Sequence, residues 1–212
     1  MQKLLKKFNC VLCGSKEGEY LYEFNTTVLI NSKMTLWSYK HILCKKCAVI
    51  VVQPLPSKNI LDQYYENAFP FELQNYEKRQ INASNFVKKN IGKTQKKIFD
   101  IGAADGFLLN QFYKDGWKCS GIEPSKLMVD NALKKYQIKI LNYGFEEFFQ
   151  EETIENYDVV LMSHVLEHLY FPKELIKNIR SILHSNGYLY IEVPSVEGFA
   201  KYNVNNVKYL HF

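Results

Sequence analysis

"KIFDIGAADGFLLNQF", residues 97–112, decides how the rest of the chain is read. A β-branched and aromatic run reaches Asp100 and Ile101, turns through Gly102, Ala103, Ala104, Asp105 and Gly106, and resumes as an amphipathic helix at Phe107. Strand, glycine turn and helix within so few residues form one repeat of an alternating fold. The alternation continues downstream. "KCSGIE" (118–123) is followed by a helix from Lys126 to Tyr136, then "IKIL" (138–141), "YDVVLM" (157–162), a helix from Pro172 to Ser185, and "YLYIEV" (188–193). This order predicts an α/β fold, a parallel sheet with helices on both faces. The last helix carries the clearest signals: Pro172 in its first turn, Leu175, Ile176, Ile179, Ile182 and Leu183 on one face, and Asn186-Gly187 as a left-handed stop.

In such sheets ligands bind beyond the carboxyl ends of the strands, which places the turn at 102–106 in the candidate site. Gly102 lets the backbone approach a ligand, Ala103 and Ala104 keep the floor low, and Gly106 permits close packing of the helix. "GAADG" is not the G-x-G-x-x-G that cradles a pyrophosphate, and no Gly-Lys-Ser/Thr follows it. A ligand with an adenosine and no phosphate fits better. Glu123, ending the next strand-like run, stands where an acid accepts hydrogen bonds from ribose hydroxyls.

Four of the five cysteines form two Cys-x-x-Cys pairs, Cys10 with Cys13 and Cys44 with Cys47, while Cys119 stands alone. Doubled pairs of this spacing bring four thiolates onto one zinc ion, and closed four-sulfur coordination makes that zinc structural. Gly14 suits the turn after the first pair. The runs between the pairs, "EYLYEFNTTVLI" (19–30) and "TLWSYKHILC" (35–44), read as strands of a β-ribbon too small to fold without the metal. "QPLPS" (53–57) closes this module: Pro54 and Pro56 break the strand and Ser57 caps a helix. Residues 60–91 read as two helices split around Pro70, with Tyr64, Tyr65, Phe69, Phe71 and Tyr76 as core or as a lid over a substrate. The domains expected are a zinc-binding module at 1–56, a helical linker or lid at 57–92, and a ligand-binding α/β domain at 93–212.

With 212 residues, 47% of them hydrophobic and 15% aromatic, the chain is long enough for one full core and a small appendage. No apolar run approaches the roughly 18 residues of a membrane-spanning helix, and "MQKLLKKFNC" does not resemble a signal peptide. A cytoplasmic protein without a membrane partner is expected. The net charge of +5 includes a dense patch of Lys88, Lys89, Lys93, Lys96 and Lys97, read as a solvated linker in preference to a phosphate-binding surface.

"FDIGAADGFLL", "GIEPS", "YDVVLMSHVLEHL" and "GYLYIEVPS" together resemble successive motifs of the class I S-adenosylmethionine-dependent methyltransferases, over residues 97 to about 195. The resemblance implies a Rossmann-like methyltransferase sheet and S-adenosylmethionine as cofactor. By it, Asp100, Gly102, Ala103 and Gly106 lie along the methionine and ribose portion, Glu123 binds the ribose hydroxyls, and Gly144-Phe145 lie near the adenine. Ser163 and His164 would face the methyl-bearing end. The paired-cysteine module, "QPLPS" and the Tyr-rich helix ahead of this domain are similar to the sugar C-methyltransferases that act on nucleotide-linked deoxysugars. The substrate implied is a sugar, on which methyl transfer to carbon or oxygen serves surface-polysaccharide or related carbohydrate biosynthesis.

Methyl transfer proceeds in line, so the protein mainly aligns the nucleophile and removes its proton. The base candidates are His164, His211, Tyr64 and Tyr65. His164 and His168 in "HVLEHL" also invite a metal reading with Glu167, which the departure from H-E-x-x-H argues against. The resembling enzymes continue beyond the fifth strand, whereas Val196 to Phe212 is too short for a further helix and two strands. The expectation is therefore a truncated chain, or a fifth-strand edge covered by a partner or a second copy in a homo-oligomer. Two other readings stand beside this one. An RNA methyltransferase would use the lysine patch on phosphates, although "SHVLEH" replaces the Asn-Pro-Pro-aromatic motif of many base-modifying relatives. A truncated chain that binds cofactor without activity is the other.

Overall fold

The computed structural model describes residues 8–30, 33–55, 57–66, 76–91, 97–150 and 155–194, and their side chains except at 26–30, 33–37, 63 and 64. Strands β1 (Gly18–Ile30) and β2 (Lys33–Cys44) pair antiparallel, with Gly18 opposite Cys44, and β3 (Ile50–Gln53) pairs with β2. Pro54 follows β3 directly, and Ser57 O accepts from the amides of Ile60 and Leu61 at the start of helix α1 (Lys58–Glu66). Helix α2 (Tyr76–Asn90) then turns Gln80, Ala83, Ser84 and Val87 inward, a spacing that puts all four on one face. Pro70 lies outside the described residues.

The second sheet is parallel, in the order β5 (Lys118–Ile122), β4 (Lys97–Ile101), β6 (Tyr157–Ser163), β7 (Leu183–Glu192). β4 and β6 are central and buried on both faces, which is why they read as near-continuous apolar runs. Ile98 points with α2, α3 (Phe107–Tyr113) and α4 (Lys126–Tyr136) into one apolar layer that holds Val87, Leu109, Phe112 and Ala132. Phe99 and Ile101 point the other way, into a layer with α5 (Phe145–Phe148) and α6 (Pro172–Ile182) that holds Phe148, Leu175, Ile179 and Ile182.

Three local expectations are corrected. The helix expected to reach Ser185 ends at Ile182, because Leu183 already pairs with Tyr157 of β6. Asn186-Gly187 is not a left-handed stop: both residues lie within β7, whose register shifts between Tyr157↔Leu183 and Val159↔Tyr188. A β-carbon at Gly187 would stand 2.9 Å from Leu183 Cδ2 and 3.0 Å from His184 O, so the close backbone inside that shift favours glycine. "IKIL" is reduced to one parallel bridge, Leu141 to Ile122, although Ile138 and Ile140 are buried as strand residues would be. β7 is one of the two outer strands of this sheet among the described residues, β5 being the other, and the segment expected to leave or cover its edge lies outside them. No described helix is long and apolar enough to cross a membrane.

Candidate functional site

A cavity of about 730 Å³ opens where β4, β5 and β6 end, the size of a site for a small organic ligand. Its floor is the turn after β4. Gly102, Ala104 and Gly106 all have positive φ, +74°, +47° and +76°, so the backbone alternates hand at three positions in five residues. Ala104 holds this conformation without the freedom of glycine. The amides of Gly102 and Ala103 both donate to Ile122 O, which binds the turn to the end of β5. A β-carbon at Gly102 would stand 2.5 Å from Val165 Cγ2, so glycine is required there for contact with the segment after β6 as well as for φ. At Gly106 it would stand 3.0 Å from Ala132 Cβ, so that glycine brings α3 onto α4 rather than onto a strand.

Two carboxylates meet behind this turn. Glu123 accepts from Ala104 N (3.0 Å) on one oxygen and from Ser125 N (2.9 Å) on the other, leaving further lone pairs on both. Burial pushes its carboxyl up from the ordinary range, and the two backbone donors oppose that shift. Asp100 is fully enclosed; burial first, then the nearby Glu123 charge, raises its carboxyl well above the usual value. A cavity lined by two buried carboxyl groups suits a ligand that offers hydroxyls. The ribose of S-adenosylmethionine offers them.

Helix α2 contributes what sequence reasoning missed. Arg79 and Gln80 both line the cavity. Arg79 Nε is shut from solvent with no hydrogen-bond partner among the described residues, and so is Gln80 Oε1 on a side chain only 5% exposed. A guanidinium left so is suited to an anionic group on a ligand, such as the carboxylate of S-adenosylmethionine. The motif-poor stretch "YEKRQ" (76–80) carried one usable signal, an arginine on the inward-turning side of a helix.

At the other end, Ser163 and His164 close β6. Ser163 Oγ donates to Glu192 Oε2 (2.8 Å), and His164 has φ +57° with Nδ1 3.2 Å from Glu167 Oε1. Glu167 first, then Glu192, holds the His164 imidazole above its ordinary range, against the opposing effect of burial. Tyr65 lines the cavity with its ring 5.4 Å from that of His168. Gly144 and Phe145 line the side next to Tyr143, where Glu147 Oε2 accepts from Gly144 N. Tyr64 lies in α1 with its side chain outside the described set, and His211 lies outside the described residues. Among the described residues, His164, Glu167 and His168 do not come together as a metal-ligand set. Of the lysine patch, Lys88 binds Asp115 (2.6 Å) and Gln111 O (2.7 Å), and Lys97 binds Glu155 (2.5 Å), so these two serve the fold; Lys93 and Lys96 lie outside the described residues.

Far along the chain, the sulfurs of Cys10, Cys13, Cys44 and Cys47 all lie within 4.8 Å of one another, with Cys10 to Cys47 at 3.6 Å and Cys13 to Cys44 at 3.5 Å. Sulfurs around a tetrahedral zinc lie about 3.8 Å apart, given Zn–S bonds of about 2.3 Å. The two turns are near copies. Gly14 (φ +70°) donates to Cys10 O and Ala48 (φ +58°) to Cys44 O, so an alanine does in the second turn what glycine does in the first. The donor set and spacing fit a thiolate-bound zinc.

A family model described as "Methyltransferase domain" matches residues 76–212. A ubiquinone biosynthesis O-methyltransferase from Histophilus somni (strain 2336) is 33% identical over 107 residues, 47% of this chain and 45% of that protein. A tRNA U34 carboxymethyltransferase from Dichelobacter nodosus (strain VCS1703A) is 29% identical over 109 residues, 50% of this chain and 35% of that protein. The chain spans about half the length of the ubiquinone-pathway relatives it matches. Among solved structures, plantazolicin methyltransferase BpumL in complex with a triazolic desmethylPZN analog and SAH is alike in fold, with a TM-score of 0.50 and 22% identity over 64% of this chain and 52% of that one.

Proposed function

We propose that this chain, which belongs to the methyltransferase-domain family and is an S-adenosylmethionine-dependent methyltransferase, passes the methyl group to a sugar, nucleotide-linked, on carbon or oxygen. The observation that carries this reading is the origin of the cavity wall. Leu61, Asp62 and Tyr65 of α1 and Tyr76, Arg79 and Gln80 of α2 line the same cavity as Glu123 and His164. The helices that join the cysteine module to the sheet thus roof the ligand site, which suits an enclosed small acceptor over a nucleic acid. In this reading residues 1–56 form a zinc module, 57–92 the roof and 93–212 the cofactor domain. Zinc on Cys10, Cys13, Cys44 and Cys47 anchors the roof; Glu123 takes the ribose hydroxyls; Asp100, Gly102 and Ala103 run along the methionine and ribose portion; and Gly144-Phe145 flank the adenine. Arg79 takes the cofactor carboxylate. S-adenosylmethionine supplies an electrophilic methyl group when bound, and the chain's own task is to hold the acceptor in line and accept its proton.

The 33% identity to a ubiquinone biosynthesis O-methyltransferase favours a second reading, O-methylation of an intermediate of that pathway. That likeness covers 107 residues. A methyl-transfer assay with labelled S-adenosylmethionine against nucleotide-linked deoxysugars, phenolic quinone precursors and tRNA separates the readings. Turnover of the sugars alone is expected. Labelling of the phenols or the tRNA with inert sugars would overturn the sugar assignment while leaving the enzyme class intact.

A further inference from the structure

His164 lies among groups brought by four elements. Glu167, in the 3₁₀ turn Leu166–His168, places Oε1 3.2 Å from Nδ1. Glu192, at the end of β7, places Oε1 3.8 Å from Nε2, while its other oxygen accepts from Ser163 Oγ (2.8 Å) and Tyr190 OH (3.3 Å). The backbone is held as well, since His164 N donates to Glu192 O at 2.8 Å. Arg79 of α2 adds an opposing positive charge. On the remaining side, His168 Nε2 stands 3.9 Å from Glu167 Oε1, with Tyr65 of α1 against its ring. His164 lines the cavity, whereas Glu167 and Glu192 are not among its lining residues.

The two ring nitrogens are therefore unequal. Nδ1 is within hydrogen-bonding distance of a carboxylate oxygen, and Nε2 is beyond it. Both oxygens of Glu167 are shut from solvent and have no aligned donor among the described residues. A carboxylate so placed calls for an N–H donor, and the nearest nitrogen that can bring one is His164 Nδ1. We propose that Glu167 is a positioning residue that keeps the proton of neutral His164 on Nδ1, so that Nε2 is the base that takes the acceptor's proton during methyl transfer. The bond from the acceptor atom to its hydrogen breaks as its bond to the methyl carbon forms. The proton goes to Nε2, and the electron pair of the broken sulfur–carbon bond stays on sulfur. The resulting imidazolium is held by Glu167 and Glu192 until it releases its proton to water. The proposal rests on the cavity being a methyl-transfer site and not on the acceptor being a sugar.

Nitrogen-15 NMR of histidine-labelled protein tests this without any acceptor, with His164 signals identified by their loss in His164→Gln. In the parent protein the neutral ring is expected to carry its proton on Nδ1. Glu167→Gln, which keeps an acceptor oxygen, should keep that tautomer while the His164 pKa falls by roughly one unit; Glu167→Leu should lose both. Glu192→Gln should leave the tautomer unchanged. A parent ring protonated on Nε2, or a His164 pKa that neither Glu167 variant moves, overturns the proposal. The parent measurement stands even where a variant fails to fold. With an acceptor that turns over, the acid limb of kcat/KM should move to lower pH in Glu167→Gln. Inert sugars beside an Nδ1-protonated ring would overturn the acceptor assignment alone.

Discussion

In the cysteine module the buried apolar residues described are Phe8, Cys10, Tyr39, Ile42, Cys44 and Val51, two of them members of the sulfur cluster; in the parallel sheet, β4 alone buries Ile98, Phe99, Asp100 and Ile101 between helices on both faces. Among the described residues the module has one thin apolar layer under its β-ribbon, and a layer of that size does little by itself to offset chain entropy. The sheet has two apolar layers and distributes its stability over many side chains. The zinc proposed for the four sulfurs would therefore act on the order of the module, while the sheet spreads its stability over both layers. What the sheet gains in robustness it spends at one place, the turn after β4, where three positive φ angles and two buried acids collect.

The largest effect to seek is on the module. Chelation of zinc, or Cys44→Ser, is expected to unfold the β-ribbon altogether, since structural zinc contributes on the order of 10 kcal/mol to such domains. Hydrogen exchange should show amides of β1 and β2 losing protection while those of β4 and β6 keep theirs. Loss of protection in both would show that the sheet leans on the module and would break the contrast.

Next in size is Gly102→Ala. A side chain at φ +74° with its β-carbon 2.5 Å from Val165 Cγ2 should cost about 2–3 kcal/mol. Denaturant unfolding measures it, and Gly116→Ala is the control, with similar φ (+80°) and open space around its β-carbon. Equal losses in the two would remove Val165 from the explanation and leave backbone strain alone.

The smallest effect is expected from Glu123→Ala on S-adenosylmethionine binding. Lost hydrogen bonds to a charged group are worth about 1.5–3 kcal/mol each, and water replaces part of that, leaving roughly a tenfold weaker Kd. Calorimetric titration reads it directly. Unchanged affinity would mean that Glu123 serves only to tie Ala104 N and Ser125 N together, and that the ligand lies elsewhere in the cavity.

Much of this architecture is written in local pattern. Alternating strand and helix periods, the glycine turn after Asp100, and two Cys-x-x-Cys pairs are short-range features, and each is read without knowing what it packs against. The ribbon between the cysteine pairs and the break at Pro54 belong to the same class. Tertiary structure decided what depends on register. The end of α6 at Ile182 follows from Leu183 pairing with Tyr157, a contact that no helix signal in "RSILHSNG" reveals. Glycine at 102 answers to Val165, sixty-three positions away. Arg79 and Gln80 reach the cavity because α2 folds back across the sheet that follows it, and His164 meets Glu192 because β6 and β7 lie side by side in parallel. Periodicity and spacing are properties of the chain over one or two turns, whereas the company a side chain keeps in a cavity is fixed by strand order and register, which arise only when distant segments bury their apolar faces together.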